Sequence, residues 1–177
     1  MGNWLAWPKP WVFPLRTKFK YWGILVVAAA VLLALDLIVK SWAAAHLAGA
    51  PSRVFIPYIL GLTYTRNTGA AFGFLGNFEW GRWVLTIVKI ALMAGLLWYY
   101  HRLPIGKRFW SLRIPIILIF AGGLGNLYDR ITLGYVRDML AFLFVNFPIF
   151  NIADIYVVVG VFVAAFVILF IEKDLPL

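Results

Sequence analysis

At 177 residues, 64% of them hydrophobic and only 13% charged, the chain carries more apolar side chain than one water-soluble core of that length can hide, so it is an integral membrane protein. The formal charge of +9 does not indicate a nucleic-acid partner, because Lys and Arg gather at the ends of apolar runs instead of forming a basic face. There is no cysteine, which excludes disulfides, thiolate catalysis and cysteine metal sites.

Residues 1–20 mix Trp4, Trp7 and Trp11 with Pro8, Pro10 and Pro14 and end in Arg16, Lys18 and Lys20. That order suits a segment at the headgroup level of the cytoplasmic leaflet. It is too long and too tryptophan-rich for the n-region of a cleavable signal peptide, so the apolar run that follows is expected to be retained. A helix needs ~20 apolar residues to cross a bilayer, and four stretches qualify: about 21–46, 83–100, 114–128 and 154–171.

The first span carries Asp36 and, one turn later, Lys40. Four apart, they share a helix face and can neutralise each other; a self-contained pair and a role in a site both fit. Residues 47–82 then combine the strand-like Val54-Phe55-Ile56 and Leu62-Thr63-Tyr64-Thr65 with turn chemistry at Arg66-Asn67-Thr68-Gly69, which predicts a small β-rich cap on the membrane surface. The second span contains Lys89 near its middle, which either snorkels to the interface or faces the bundle and meets a carboxylate. The loop after it holds Arg102, Lys107, Arg108 and Arg113 without an acidic residue. Short loops rich in Lys and Arg stay in the cytoplasm. Both termini, including the tail 172–177, are therefore expected inside, and the cap 47–82 and a loop 129–153 outside.

All the chemistry the sequence offers then falls on one side of the membrane. In Ala121-Gly122-Gly123-Leu124-Gly125-Asn126 the small residues let a neighbouring helix approach closely. Asn126, Asp129 and Arg130 share a face just beyond them, either as a local Asp129–Arg130 pair with Asn126 as interhelical glue or as part of a site. Asn151 and Asp154 have the spacing of a helix N-cap and its N3 carboxylate. Sixteen residues before Asp154 stands another aspartate, Asp138. Two carboxylates converging on one water can share a proton, one acting as base and the other as acid, as in aspartic proteases.

The blocks D-x-x-x-K (Asp36–Lys40), N-x-G-A-A-F (Asn67–Phe72), G-x-G-N-x-x-D-R (Gly123–Arg130), G-x-V-x-D (Gly134–Asp138) and F-N-x-A-D (Phe150–Asp154) resemble, in that order, lipoprotein signal peptidase, signal peptidase II. The resemblance covers essentially the whole chain. It departs from the family's first block at Leu37 and Val39, where a Gln and a Ser or Thr are usual. It implies a multi-pass bacterial inner-membrane aspartyl endopeptidase that cuts diacylglyceryl-modified prolipoproteins just before the lipidated cysteine. It further implies a catalytic dyad of Asp138 and Asp154, and a pocket lined by Asp36, Asn67, Asn126, Asp129, Arg130 and Asn151 with Lys40 in support. No metal or cofactor is implied. The expected partners are the prolipoprotein and membrane phospholipid, the chain is expected to be monomeric, and globomycin-type peptide antibiotics are expected to inhibit it.

The expectation is thus an all-α membrane bundle of four transmembrane helices with a small extracytoplasmic β-rich cap. Two other functions suit carboxylates and a lysine in a bundle: a small proton- or ion-translocating protein, and a lipid-headgroup transferase with aspartates around a divalent metal.

Overall fold

The computed structural model of the chain describes residues 15–69 and 80–171. The N-terminal tryptophan segment up to residue 14, Ala70–Phe72 of the second block and the tail 172–177 lie outside them. In chain order the elements are α1 (Leu15–Leu47), β1 (Arg53–Ile56), β2 (Leu60–Asn67), α2 (Gly81–Arg102), α3 (Trp110–Thr132), β3 (Val136–Phe142) and α4 (Ile152–Phe166), which continues as a π-helical turn over Val167–Ile171.

Three stretches are long and apolar enough to cross a membrane: Lys18–Leu47, Trp110–Thr132 and Ile152–Ile171. The expected second span is present as α2, 22 residues long, and does not join those three among the described residues. The outward faces of the helices expose rows of aliphatic and aromatic side chains, among them Val26, Val27, Ile38, Val158 and Phe162, which is what a helix turned toward lipid presents.

Two strands form in the stretch 47–82 expected to be β-rich, and a third lies in the stretch 129–153 expected as a loop. The β-branched run around Val54 forms β1 and the run around Thr63 lies in β2. Both belong to a three-stranded antiparallel sheet in the order β1-β2-β3. Its third strand comes from the stretch read as loop, where α3 runs on to Thr132, the chain turns through Gly134 at φ 82°, and β3 begins two residues later. A positive φ there is open to glycine at little cost. The register sets Thr65 opposite Asp138 and Asn67 opposite Val136, so pairing with β2 makes Asn67 the diagonal neighbour of Asp138, within reach of its side chain.

Helix α3 is the centre of the bundle and packs on α1, α2 and α4. Its glycines make this possible, as the small-residue pattern predicts. A Cβ on Gly122 would collide with the Ala153 carbonyl, and one on Gly125 with the Asp36 carboxylate. Two apolar clusters bracket a polar layer. At one end Leu25, Tyr100, Leu112, Ile116 and Val167 pack together, locked by Arg113, whose guanidinium lies 4.4 Å from the Tyr21 ring and 5.2 Å from the Tyr100 ring and donates to the Leu103 carbonyl. At the other, Ala43 and Leu47 of α1 meet Met139 and Leu140 of β3. Between these clusters the buried Asp36, Lys40, Asn126, Asp129, Arg137, Asp138 and Asn151 belong to one network.

Candidate active site

The network begins with two buried ion pairs. Lys40 Nζ lies 2.8 Å from Asp36 Oδ2, so the pair legible from the i,i+4 spacing forms, and Asp36 Oδ1 also accepts the Ala153 backbone N–H at 3.0 Å. Of the two readings left open for Asp129, the local pair with Arg130 does not form, because consecutive helical residues point in different directions. Its carboxylate instead takes Arg137 of β3 through side chain and backbone, at 2.7 Å from Nη2 and 3.0 Å from the backbone N–H, and stands 3.5 Å from Lys40 Nζ. Arg137 also donates to Ser41 Oγ. Asp36, Lys40 and Asp129 are fully buried, and charges so placed persist when paired.

Three asparagines connect these pairs to the remaining two carboxylates. Asn126 Oδ1 accepts from Lys40 Nζ at 3.0 Å, Asn151 Oδ1 from the Asp154 backbone N–H at 3.0 Å, and Asn67 Oδ1 from the Gly69 backbone N–H at 3.1 Å. Each of those partners can only donate, so each asparagine is obliged to turn its NH2 the other way. All three amides then donate to an aspartate: Asn126 to Asp154 Oδ1 at 2.7 Å, Asn151 to Asp138 Oδ1 at 2.6 Å and Asn67 to Asp138 Oδ2 at 2.9 Å. The last oxygen, Asp154 Oδ2, accepts the Asn151 backbone N–H at 3.1 Å, completing the capping box at the start of α4. Asn151 Nδ2 also donates to Asn126 Oδ1, which joins the two halves.

Burial pushes the Asp138 carboxyl up to about 6; the Asn67 and Asn151 amides pull it down and the neighbouring Asp154 charge pushes it further up. Asp138 is 1% exposed, whereas Asp154 is only partly buried. Both line a cavity of about 540 Å³ with Asn67, Asn126 and Arg130 at its polar end. Its other walls are apolar: Val88 and Leu92 of α2, Ile155, Val158 and Val159 of α4, and Phe142, Phe147 and Phe150. A carboxyl near neutrality beside a second carboxylate in a cleft is a candidate acid–base pair.

The pattern of the Signal peptidase (SPase) II family matches residues 28–170. The chain belongs to the signal peptidase II family. Among its relatives, the lipoprotein signal peptidase of Streptococcus agalactiae serotype V is 41% identical over 138 residues, 78% of this chain and 86% of the relative. That of Streptococcus pyogenes serotype M1 is 38% identical over 151 residues, 85% and 95% of the two chains. Two solved bacterial membrane enzyme structures, obtained by the in meso method at 2.3 and 1.9 Å resolution, are 28% identical, superpose with TM-scores of 0.68 and 0.69, and match over 86% of this chain and 90% and 95% of theirs.

For this signal peptidase II chain, the nine residues singled out from the sequence fall into two groups. Asn67, Asn126, Arg130, Asp138 and Asp154 line the cavity. Asp36, Lys40, Asp129 and Asn151 are fully buried behind its wall. Sequence reasoning gave no role to Arg137, the principal partner of Asp129, nor to Lys89, which lines the cavity. The signal for Arg137 was its place directly before Asp138. Among the described residues, no group of three or more His, Asp or Glu side chains is arranged to hold a metal ion.

Proposed function

We infer that this bacterial membrane protein is a lipoprotein signal peptidase, an aspartic endopeptidase that removes the signal peptide from diacylglyceryl-modified prolipoproteins just before the lipidated cysteine. The carrying observation is the form of the cavity, with two amide-held carboxyls at one end and an apolar channel leading from them between two helices. α3 packs on both α2 and α4, while those two helices make no comparable contact with each other among the described residues. The gap between them is lined by Val88, Leu92, Ile155, Val158 and Val159, a surface suited to acyl chains and to an apolar signal helix arriving sideways from the bilayer.

In this reading Asp138 and Asp154 are the dyad. One carboxylate takes a proton from water as its oxygen attacks the scissile carbonyl, and the other carboxyl gives its proton to the leaving amine as the C–N bond breaks. Asn67 and Arg130 bind the peptide, and the buried Asp36, Lys40, Asp129 and Asn151 hold the dyad in place. Asn126 does both. The basic loop 101–113 and both termini face the cytoplasm, α2 is a fourth span with its ionisable face turned inward, and the sheet caps the site on the outer side. The chain acts as a monomer in phospholipid, and a globomycin-type antibiotic competes for the same cavity. Family membership in a peptidase group is what sets this reading above ion translocation or headgroup transfer.

The test is in vitro processing of a diacylglyceryl-prolipoprotein beside an unlipidated control. Efficient cleavage of the lipidated form alone is expected, since membrane-held acyl chains align the substrate before chemistry. Equal cleavage of both would remove the reason for reading the apolar channel as a lipid path.

A further inference from the structure

Lys89 is the one cavity charge to which the site as described gives no role. It lines the cavity from α2, as do Asn126, Arg130, Asp138 and Asp154 from other elements, is only partly exposed, and has no hydrogen bond or ion pair found among the described residues. Snorkelling does not account for it separately. The site and the N-terminal end of α2 lie on the same side, so the direction in which the stem would extend is also the direction of the cavity.

Two cations already act on Asp138 and Asp154 from further off, Arg130 on both carboxyls and Lys40 on Asp138. Lys40 is committed to Asp36, and Arg137 to Asp129. The hydrogen bonds to Asp138 and Asp154 come from neutral amides, which orient a carboxylate without supplying a positive charge. Four charges face Lys89: Asp138 from β3 and Asp154 at the start of α4 attract it, while Arg130 of α3 and Lys40 of α1 repel it. Arg130 is anchored to the Gly69 carbonyl through Nη2, whereas no such anchor is found for Lys89 among the described residues.

We propose that Lys89 is a positioning residue for the peptidase reaction: its ammonium group, across the polar end of the cavity from Asp138 and Asp154, keeps one carboxylate ionised while the other holds the shared proton. The proposal rests on reading those two residues as the dyad. An opposite charge favours the ionised form of a carboxyl. Removing it therefore raises both proton affinities of the pair, and both limbs of the pH profile move the same way.

The experiment measures kcat/KM against pH for the wild type, Lys89→Met, Lys89→Gln and Lys89→Arg, with Asp138→Asn and Asp154→Asn alongside. Binding of a substrate-mimicking inhibitor verifies the fold of each. Both neutral variants are expected to shift the acid and alkaline limbs upward by roughly half a pH unit or more, the scale of one charge at an effective dielectric constant of about 20. Lys89→Arg is expected to keep both limbs at their wild-type positions. Limbs that stay put while kcat alone falls, or an arginine variant that behaves like the methionine variant, would show that the side chain matters by shape and overturn the proposal. Cleavage retained by either aspartate variant would overturn the dyad itself, a failure readily told from the first because it appears without touching Lys89.

Discussion

Asp138→Asn separates the electrostatics of the site from its packing. Holding a carboxyl at about 6 instead of its ordinary 3.8 corresponds to ~3 kcal/mol of preference for the protonated form in the folded protein. Because the folded state binds this proton more tightly than the unfolded state, the contribution is present in full below pH 3.8 and is lost as the pH rises through about 6. The amide is neutral at every pH, so the variant lacks this slope. It has a defect of its own: Asn67 and Asn151 both direct N–H groups at the side chain, so the new NH2 meets a donor, at about 1–3 kcal/mol. The two effects nearly cancel above pH 7, and at acidic pH only the defect remains. Apparent unfolding midpoints in detergent at pH 4.5 and 7.5 should therefore show the variant close to wild type at the higher pH and clearly less stable at the lower, while cleavage of a lipidated substrate falls to background at both. Substantial cleavage, or a stability difference that does not change with pH, would refute the assignment of Asp138 as the buried proton holder.

Asp154→Asn should also abolish cleavage, and the double variant should be little worse than either single one, since residues acting as a unit are strongly non-additive; additive losses in single-turnover assays would count against a shared proton. Asp129→Asn leaves Arg137 facing a neutral group in the bundle interior and should lower thermal stability by roughly 3–5 kcal/mol, the range for breaking a buried pair, with activity reduced but measurable. Gly125→Ala should be recovered poorly from membranes, because the added methyl group meets the Asp36 carboxylate; normal yield and normal activity would mean that α1 and α3 can separate freely.

What the sequence revealed depended on how local each interaction is. The Asp36–Lys40 pair and the Asn151–Asp154 capping box are set within one helical turn, and spacing alone exposes them. β1 and β2 announce themselves through Val54, Ile56, Thr63 and Thr65. β3 does not, because its buried residues include Arg137 and Asp138, and charges in the middle of Val136–Phe142 break the alternation by which a strand is recognised. Of the two readings open for Asp129, the local pair with Arg130 fails for a related reason: Arg130 is adjacent in sequence but points elsewhere, while Arg137 is brought back by the turn at Gly134. Five cavity residues were identifiable from motif blocks, but their division into a lining and a supporting layer was not. That division depends on how deeply α3 sits against α1 and α4, which is set by contacts between distant parts of the chain.

The two layers differ in kind, and the difference has a chemical sense. Behind the wall, carboxylates are matched by cations, Asp36 by Lys40 and Asp129 by Arg137, and such pairs fix α1, α3 and β3 relative to one another. At the cavity the matching changes to amides. A direct lysine or arginine contact on Asp138 or Asp154 would favour the ionised carboxylate strongly and leave no proton to share. An asparagine holds the same oxygen at the same distance without adding charge. Asn126 performs the conversion: it accepts from Lys40 on one side and donates to Asp154 on the other. The rigidity of the ion pairs thus reaches the proposed dyad while their charge is kept one residue away. Replacing Asn126 by aspartate would remove the donor and set a third carboxylate beside Asp154, so of all single changes near the dyad it should disturb proton sharing most while preserving side-chain volume.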